Sequence, residues 1–492
     1  MLFERYRKII PDWNAFHRSI QQRDPTTIRV RTGRISSAQL KTRLVDQGFL
    51  VEEVAGVDSF MRVLDGPFNV TDTIEHWLGL FYVQQVSAGI AALGLRPKPG
   101  ENILDLCAAP GGKTTQIADL MQDRGCVVAV DRNEGRLQAL MGNIYRLVHP
   151  NIMVVSGDGL RLPETALFDR VLVDAPCSAE GTLRRKSNRR IKESIRFRQS
   201  VPKRQEALLR KAIQLTRPGG VVVYSTCTFA PEENEGVVDA VLKDLPVHLE
   251  ECDLQIPHSP GLTRFEGKVF DPNLEKTYRI YPYHLDSGGF FMARLRRQDN
   301  QVPSCKIESS GWQDAALQFP VEKKAANNVS EVINGGIERM RRYVNDQIDL
   351  DYDFNWLLRG KDLWLHSCGE WPNNDWFESE NCRVLSIGLR AMSPVFREEM
   401  RPTNDILRYL ETYVSSCAYH PSQEEWDKLL TQESISGSLS GSGFIPLKWR
   451  DHVLGRGLIH KDKLKCEIAR VRRRWLKKVF AIGRSSVEEK SH

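Results

Sequence analysis

The chain has no apolar run long enough to cross a membrane and no apolar stretch at its start, where Met1-Leu2-Phe3-Glu4-Arg5-Tyr6-Arg7-Lys8 is charged. A membrane helix needs about 20 consecutive apolar residues, and a secretory leader needs an apolar core of its own. The expectation is therefore no membrane association and a place in the cytoplasm, or in the nucleus of a cell that has one. A disulfide framework is also missing: ten cysteines are spread over 492 residues, and no two have CxxC spacing. That argues against a cystine-rich secreted scaffold and against a structural zinc site, and no metal is expected. In a reducing compartment a cysteine in a polar loop becomes a nucleophile candidate instead. Charge is not strongly of one sign. Lys and Arg number 69 against 63 Asp and Glu, a net +6 that suits a polyanionic partner without requiring one. The chain lacks a GxGxxG fingerprint and any repeat at solenoid periods.

What is present is a change of texture along the chain. Residues 1–85 form a polar region in which Ser37–Phe49 has apolar residues at helical spacing, preceded by the basic stretch Ile28–Arg34. It is expected to be a small α+β region that binds RNA. From 86 to 298, short apolar segments alternate with helical ones. The strand candidates are 102–108, 126–131, 152–158, 170–175, 220–226 and 290–295, with helices over Lys113–Asp123 and Asn133–Leu147 among the gaps. Near-continuous apolar strands separated by helices imply a parallel sheet covered on both faces, a Rossmann-like α/β fold. Residues 299–330 read as a polar linker. Residues 331–492 hold seven of the ten tryptophans and the Ser/Gly-rich stretch 434–443, and are expected to form a separate C-terminal α/β or β-rich module.

The most specific segment is Leu104–Thr114, in which a strand runs through Cys107, Ala108, Ala109, Pro110, Gly111 and Gly112 into Lys113 and a helix. Small residues let a ligand approach the backbone, and the helix N-terminus offers free N–H groups. A phosphate-binding loop needs glycine at position 107, where Cys107 stands, so the nucleotide-hydrolase reading fails. The next strands end in Asp131, Asp158 and Asp174, so that with Asp105 four acids reach one sheet edge. Ligands bind at that edge in open α/β sheets; Asp131 is placed to hold ribose hydroxyls and Asp158 an adenine amino group.

Two cysteines follow strands in matched loops, Asp174-Ala175-Pro176-Cys177-Ser178 and Ser225-Thr226-Cys227-Thr228. A single cysteine is more often a small buried hydrophobe. Two in paired loops beside an acid point to thiolate chemistry on an aromatic ring. Carbon 5 of cytosine is a poor nucleophile until a thiolate adds to carbon 6. Asp174 is placed to hydrogen-bond the ring at N3 and stabilise the charge that develops.

These motifs, in this order, resemble the Sun/RsmF-type RNA cytosine-5 methyltransferases, the RsmB/NOP family. The resemblance runs from about Arg29 to Arg294. It includes Cys107–Lys113, Asp131, Asp158, Asp174–Cys177, Ser225–Cys227, the entry segment His76–Gln84 and the closing Gly289-Phe290-Phe291. It implies S-adenosyl-L-methionine as cofactor, held by Cys107–Lys113, Asp131, Asp158 and Asp174. It further implies Cys227 as the nucleophile, Cys177 as the group that assists proton removal and product release, and Lys113 near the cofactor's methionine end and the catalytic loops. Two departures stand out: Arg31-Thr32-Gly33 where the family often has Arg-Val-Asn, and Gln84-Gln85 with Ser87-Ala88 where it often has Gln-Asp with Ser-Ser.

Between 184 and 204 lie ten Lys or Arg residues, directly after the Cys177 loop. Arg184, Arg185, Lys186, Arg189 and Arg190 are taken as contacts to an RNA backbone. Segment 461–478 is also basic, and with Pro446–Trp449 and Leu454–Gly457 it resembles the end of a PUA-type module; its periodicity fits a helix or short strands. The target cytosine must be unstacked to reach a thiol. A DNA methyltransferase would use Cys177 as nucleophile and leave the Ser-Thr-Cys loop unexplained. A non-catalytic RNA-binding assembly factor would not need Cys227, Cys177 and Asp174 together. Ribosomal RNA of the small subunit is the expected substrate, with transfer RNA second, and the protein is expected to act as a monomer.

Overall fold

The computed structural model describes residues 3–165, 167–185, 195–298, 312–314, 329–351, 353–367, 370–372, 375–394, 400–414, 418–431, 433–436 and 441–488. The N-terminal part comprises α1 (Trp13–Ser19), β1 (Thr26–Val30), α2 (Ser37–Asp46), β2 (Leu50–Glu53), β3 (Phe60–Asp65), α3 (Ile74–Trp77) and β4 (Phe81–Val83). Its strands form an antiparallel sheet in the order β2-β3-β1-β4. Helix α2 starts at a reciprocal capping pair: Ser36 accepts from the Gln39 amide and Gln39 accepts from the Ser36 amide. Its apolar face buries Leu40 and Leu44.

The central domain carries α4 (Val86–Leu95), β5 (Asn102–Asp105), α5 (Gly112–Leu120), β6 (Cys126–Asp131), α6 (Glu134–Leu147), β7 (Ile152–Gly157), β8 (Phe168–Asp174), α7 (Ile195–Leu215), β9 (Thr216–Thr226) and α8 (Glu235–Asp244). Strands β7-β6-β5-β8-β9 are parallel neighbours in that order. The strand Phe290–Arg297 continues the sheet antiparallel to β9, and Tyr278–Ile280 lies beyond it. Every residue of β6 is buried, as a strand covered on both faces requires. Strand order reverses between β5 and β8, so the crevice for a ligand opens at their C-terminal ends. The strands expected from sequence fall within a few residues of those observed.

The C-terminal part is more entangled with the rest than a separate module. The strand Cys382–Ile387 pairs antiparallel with β7 and so becomes the far edge of the central sheet. Two further four-stranded antiparallel sheets follow. One is built from Asn355–Arg359, Asp362–His366, Leu389–Pro394 and Met400–Pro402, the other from Ile435–Ser436, Gly443–Trp449, His452–His460 and Lys463–Cys466. The second shares an apolar core with the N-terminal sheet, in which Trp426, Leu447 and Leu464 meet Ile28, Leu44 and Phe81. Trp371, Trp376 and Trp426 are fully buried core residues. The basic segment after 461 resolves into both expected forms, a strand over Lys463–Cys466 and a helix over Arg470–Glu488. Of the expected linker 299–330, Trp312–Asp314 pairs with Glu370–Pro372, while 299–311 and 315–328 lie outside the described residues. No helix among the described residues is long and apolar enough to cross a membrane.

The basic stretch before α2 turns inward. Arg29 is 2% exposed; its guanidinium donates to Gln84 Oε1 at 2.9 Å, to Thr115 Oγ1 at 2.9 Å and to Asp119. Arg31 bonds Asp119 at 3.1 Å and Asp123 at 2.7 Å, and Arg34 reaches Glu411. These arginines bolt the N-terminal sheet to α5 and to the C-terminal part, and they do not present an RNA-facing surface. In Arg31-Thr32-Gly33 the arginine, shared with the family pattern, is the residue in contact with the central domain, while the departing Thr32 and Gly33 are exposed. Removing a member of a buried, hydrogen-bonded charge network leaves its partners unpaired. Arg29→Ala is expected to destabilise the protein by about 3 kcal/mol or more, measured by chemical denaturation, whereas Arg7→Ala on the surface should have little effect.

Candidate active site

The sheet edge gathers the expected acids because each parallel strand ends there. In register, Asp105 stands opposite Ala129 of β6 and Leu172 of β8, Asp131 opposite Ser156, and Asp174 opposite Ser225. Cys227 follows β9 directly, and Cys177 lies three residues past the end of β8. The two loops are stitched together by their backbones: Ala175 N donates to Ser225 O at 2.9 Å, and Gly181 N donates to Cys227 O at 2.9 Å. This brings the two sulfurs to 3.3 Å, with Cys227 N donating to Cys177 Sγ at 3.4 Å. Gly181 has to be glycine here, since a Cβ would sit 2.4 Å from the Gly289 carbonyl oxygen.

Charge around the thiols is ordered. Lys113 Nζ donates to Asp174 Oδ2 at 2.7 Å, and Ser225 Oγ donates to Asp174 Oδ1 at 3.0 Å. Burial opposes charge on Lys113, but Asp174 beside it, with a contribution from Cys227, outweighs that and raises its pKa. Lys113 is thus a largely buried cation whose neighbours include Asp174 and Cys227. The hydrogen bond to Cys227 is the largest cause, followed by burial, that lifts Cys177 well above the ordinary thiol range. The two sulfurs lie within hydrogen-bond distance of each other, and either can be the donor. Burial pushes Asp105 up to about 7, with the charge of Asp174 adding to the effect and a bond from the Thr114 hydroxyl at 2.8 Å opposing it.

A cavity of about 490 Å³ opens against these groups. Its wall includes Asp105, Cys107, Ala108, Ala109, Pro110, Gly112, Lys113, Arg136, Asp174 and Cys227 on the sheet side, and Asp24, Gln84 and Gln85 on the N-terminal side. Gly111 takes φ +103° at the turn into α5, and a Cβ there would collide with Leu140 at 2.4 Å. Asp131 stands behind the loop: it accepts from Ala109 N at 3.2 Å and Asn133 N at 2.9 Å, and lies 3.4 Å from Arg136. Asp158 is bonded by Arg204 at 2.9 and 3.1 Å and caps the Leu160 amide. The donor set suits a ligand with both a cationic and an anionic end: acids line the cavity beside Cys227, while Lys113, Arg136 and the amides that open α5 supply the opposite charge.

The expected RNA contacts fare differently. Arg184 is 6% exposed and faces inward, donating to Gln22 O at 3.2 Å, Arg23 O at 3.0 Å, Ser287 O at 3.4 Å and Asp286 at 2.6 Å. It fastens the segment before β1 over the cavity and is carried no further as an RNA contact. Lys186, Arg189 and Arg190 lie outside the described residues, and the Arg185 side chain is likewise not described. Several site residues went unread in the sequence. Glu233 accepts from Ser178 N at 3.0 Å and from Gln205 Nε2 at 2.9 Å, which fixes the Cys177 loop from behind. Asp24 accepts from Gln85, so the second glutamine of Gln84-Gln85 has a partner across the cavity mouth. Glu233 was visible within the Pro231–Asn234 run after Cys227; Asp24 and Gln205 carry no local signal.

The central sheet and its ligand edge define a class I methyltransferase-type fold. Residues 92–296 match the family described as 16S rRNA methyltransferase RsmB/F. The chain is 34% identical over 446 residues to ribosomal RNA small subunit methyltransferase F of Aeromonas salmonicida, covering 88% of this chain and 87% of that protein. It is 35% identical to the tRNA (cytosine(49)-C(5))-methyltransferase of Pyrococcus abyssi, over 60% of this chain and 95% of that one. A crystal structure of a methyltransferase homolog from Pyrococcus horikoshii superposes with a TM-score of 0.55 at 32% identity, covering 60% of this chain and 94% of that chain. Matched eukaryotic relatives are longer: the chain spans 55% of the 25S rRNA (cytosine-C(5))-methyltransferase nop2 of Schizosaccharomyces pombe and 40% of a mouse 28S rRNA (cytosine-C(5))-methyltransferase. The chain belongs to the RsmB/F methyltransferase family.

Asp105 gives a pH test. Its folded pKa, about 7, lies above the unfolded value of 3.8. Between those values the folded protein holds a proton that the unfolded chain has lost, so stability falls as pH rises from about 4 to about 7. Asp105→Asn should remove this slope, measured as denaturation midpoints across that range; an unchanged slope would show that Asp105 is already ionised.

Proposed function

We propose that the protein transfers a methyl group from S-adenosyl-L-methionine to carbon 5 of a cytosine in RNA. Ribosomal RNA of the small subunit is the favoured substrate and transfer RNA the second candidate. The observation that carries this reading is the 3.3 Å contact between Cys177 and Cys227 at the wall of the cavity that the cofactor loop also bounds. The preference for ribosomal RNA rests on coverage. The relative named for the small subunit aligns with 88% of this chain, including the C-terminal part, and the one named for transfer RNA with 60%. The cofactor fits the acidic and basic lining described above, and a related NSun6 from Pyrococcus horikoshii was solved with SFG, an analogue of it.

Bound there, S-adenosyl-L-methionine supplies an electrophilic methyl group. The chain's own residues supply the rest. Cys227 Sγ forms a bond to carbon 6 of the base, which breaks the ring's aromaticity and makes carbon 5 nucleophilic. Lys113 stands close enough to that sulfur for the charges of the two groups to interact. The Lys113–Asp174 pair holds a proton where ring N3 gains charge, and Ser225 fixes the Asp174 carboxylate. The hydrogen bond with Cys227, followed by burial, holds the Cys177 thiol well above its ordinary range. Once the Cys227 sulfur is spent in the bond to carbon 6, Cys177 loses that partner, and after giving its own proton to solvent in the cavity its thiolate accepts the carbon 5 proton. Loss of that proton lets the Cys227–carbon 6 bond break and restores the ring. Holding the groups in this geometry before the base arrives contributes on the order of 7–11 kcal/mol in favourable cases. Arg185, Lys186, Arg189 and Arg190 remain, on sequence grounds, the residues proposed to hold the RNA backbone.

The roles of the two cysteines separate in a covalent trap. With unmodified small-subunit ribosomal RNA and transfer RNA transcripts as probes, Cys177→Ala should accumulate a protein–RNA adduct that survives denaturant, and Cys227→Ala should form none. Methyl transfer by Cys227→Ala at the wild-type rate would remove Cys227 from the mechanism.

A further inference from the structure

The 3.3 Å spacing of the sulfurs needs something to hold it, because both cysteines sit in loops and neither loop is a regular element at that point. A carboxylate between the loops is in position to do this. Glu180 opens the short helix that follows the Cys177 loop and is 7% exposed. It accepts from Thr228 Oγ1 at 3.0 Å and from Phe229 N at 3.2 Å, the two residues that follow Cys227. Thr228 Oγ1 is also within 2.7 Å of Ser178 Oγ, the residue after Cys177. Through Glu180, the segment on one side of Cys177 grips the segment on one side of Cys227.

A third element closes on the same carboxylate. Tyr6 OH donates to both oxygens of Glu180, at 2.9 Å each, and the tyrosine is 1% exposed. Burial raises the Tyr6 phenol above its ordinary range, with the Glu180 charge adding to this, so the phenol stays a donor. Around it, Phe3 and Phe16 pack edge-on against Phe229, with centroids at 5.8 and 5.3 Å. The N-terminal segment thus docks on the residue two places beyond the nucleophile, and its polar anchor is the carboxylate that joins the two loops.

We propose that Glu180 is a positioning residue that sets the approach of Cys177 to Cys227, and that Tyr6 is the group that fixes Glu180. This rests on the reading of Cys227 as nucleophile and Cys177 as the group that releases the product. A buried carboxylate that ties its own loop to the Cys227 loop by charge-assisted bonds resists their separation more than neutral bonds would. Displacing a reacting group by about 1 Å costs on the order of 100-fold in rate. Loss of this clasp acts first on the step that needs both sulfurs, since Cys227 directly follows β9, whose pairing on both sides is untouched.

The test uses the full chain and whichever unmodified transcript, small-subunit ribosomal RNA or transfer RNA, accepts methyl groups from the wild-type protein. Tyr6→Phe removes one hydroxyl and leaves the aromatic packing, and Glu180→Gln removes the charge. Each is expected to lower turnover by about 10–100-fold and to accumulate denaturant-resistant protein–RNA adduct above the wild-type level. Cofactor affinity should stay within about twofold, since the binding loop is untouched. The double variant should be no worse than the worse single one, because both act through one unit. Should Glu180→Gln fail to fold, as judged by thermal unfolding, Tyr6→Phe decides. A folded Tyr6→Phe protein with adduct at the wild-type level overturns the proposal, whatever its turnover. Cys177→Ala run alongside separates the two layers. Adduct in Cys177→Ala but not in the clasp variants rejects the clasp alone. Absence of adduct in Cys177→Ala rejects the assignment of the cysteines, and the clasp with it.

Discussion

Two sulfur atoms 3.3 Å apart, each at the end of a different loop, set the terms for the structure around them. Loops of this length do not hold side chains in register unaided, so the fold supplies the constraint from several directions. Parallel pairing of β8 with β9 aligns Asp174 with Ser225 and starts both loops from one place. Backbone bonds from Ala175 and Gly181 tie them along their length, and Glu233 and Gln205 brace the Cys177 side from behind. Their surroundings then distinguish the two thiols. The contact with Cys227 and burial raise the Cys177 thiol, and the cation of Lys113 stands near the other sulfur. Asymmetry between chemically identical groups is what acid–base work at a single site requires.

Much of the central domain could be read from the sequence because its signals are local. Short β-branched apolar runs such as 126–131, spaced by helical segments, read as strands buried on both faces, and the small-residue turn Cys107–Gly112 between a strand and a helix marks a ligand loop. Four acids at strand ends, and two cysteines one residue beyond similar Pro or Thr positions, also repeat a pattern that one sequence can show. The paired loops point to the candidate chemistry from the sequence alone, and the structure brings Cys177, Cys227, Asp174 and Lys113 into one cluster.

Features that depend on long-range partners stayed hidden. The strand Cys382–Ile387 joins the central sheet more than 200 residues after β7, and nothing in its composition indicates which edge it will find. Arg29, Arg31 and Arg184 illustrate the same difficulty from the side of charge. A run of arginines reads as a surface for phosphate, yet these three are buried because Asp119, Asp123 and Asp286, distant in sequence, meet them. Tyr6 and Phe16 look like scattered aromatics of a polar N-terminal stretch until Phe229 and Glu180 are placed beside them. Asp131 is a milder case: the acid is where the strand pattern puts it, but its present bonds are to the loop that it was expected to work beside.

The central claim is that carbon 5 of the base is the atom that exchanges a proton for a methyl group. RNA carrying tritium at cytosine carbon 5 tests it most directly, when incubated with the protein and S-adenosyl-L-methionine whose methyl carbon is labelled with a different isotope. The account predicts that each methyl group gained is matched by one tritium released to water. Methyl groups incorporated while the tritium stays on the base would contradict it.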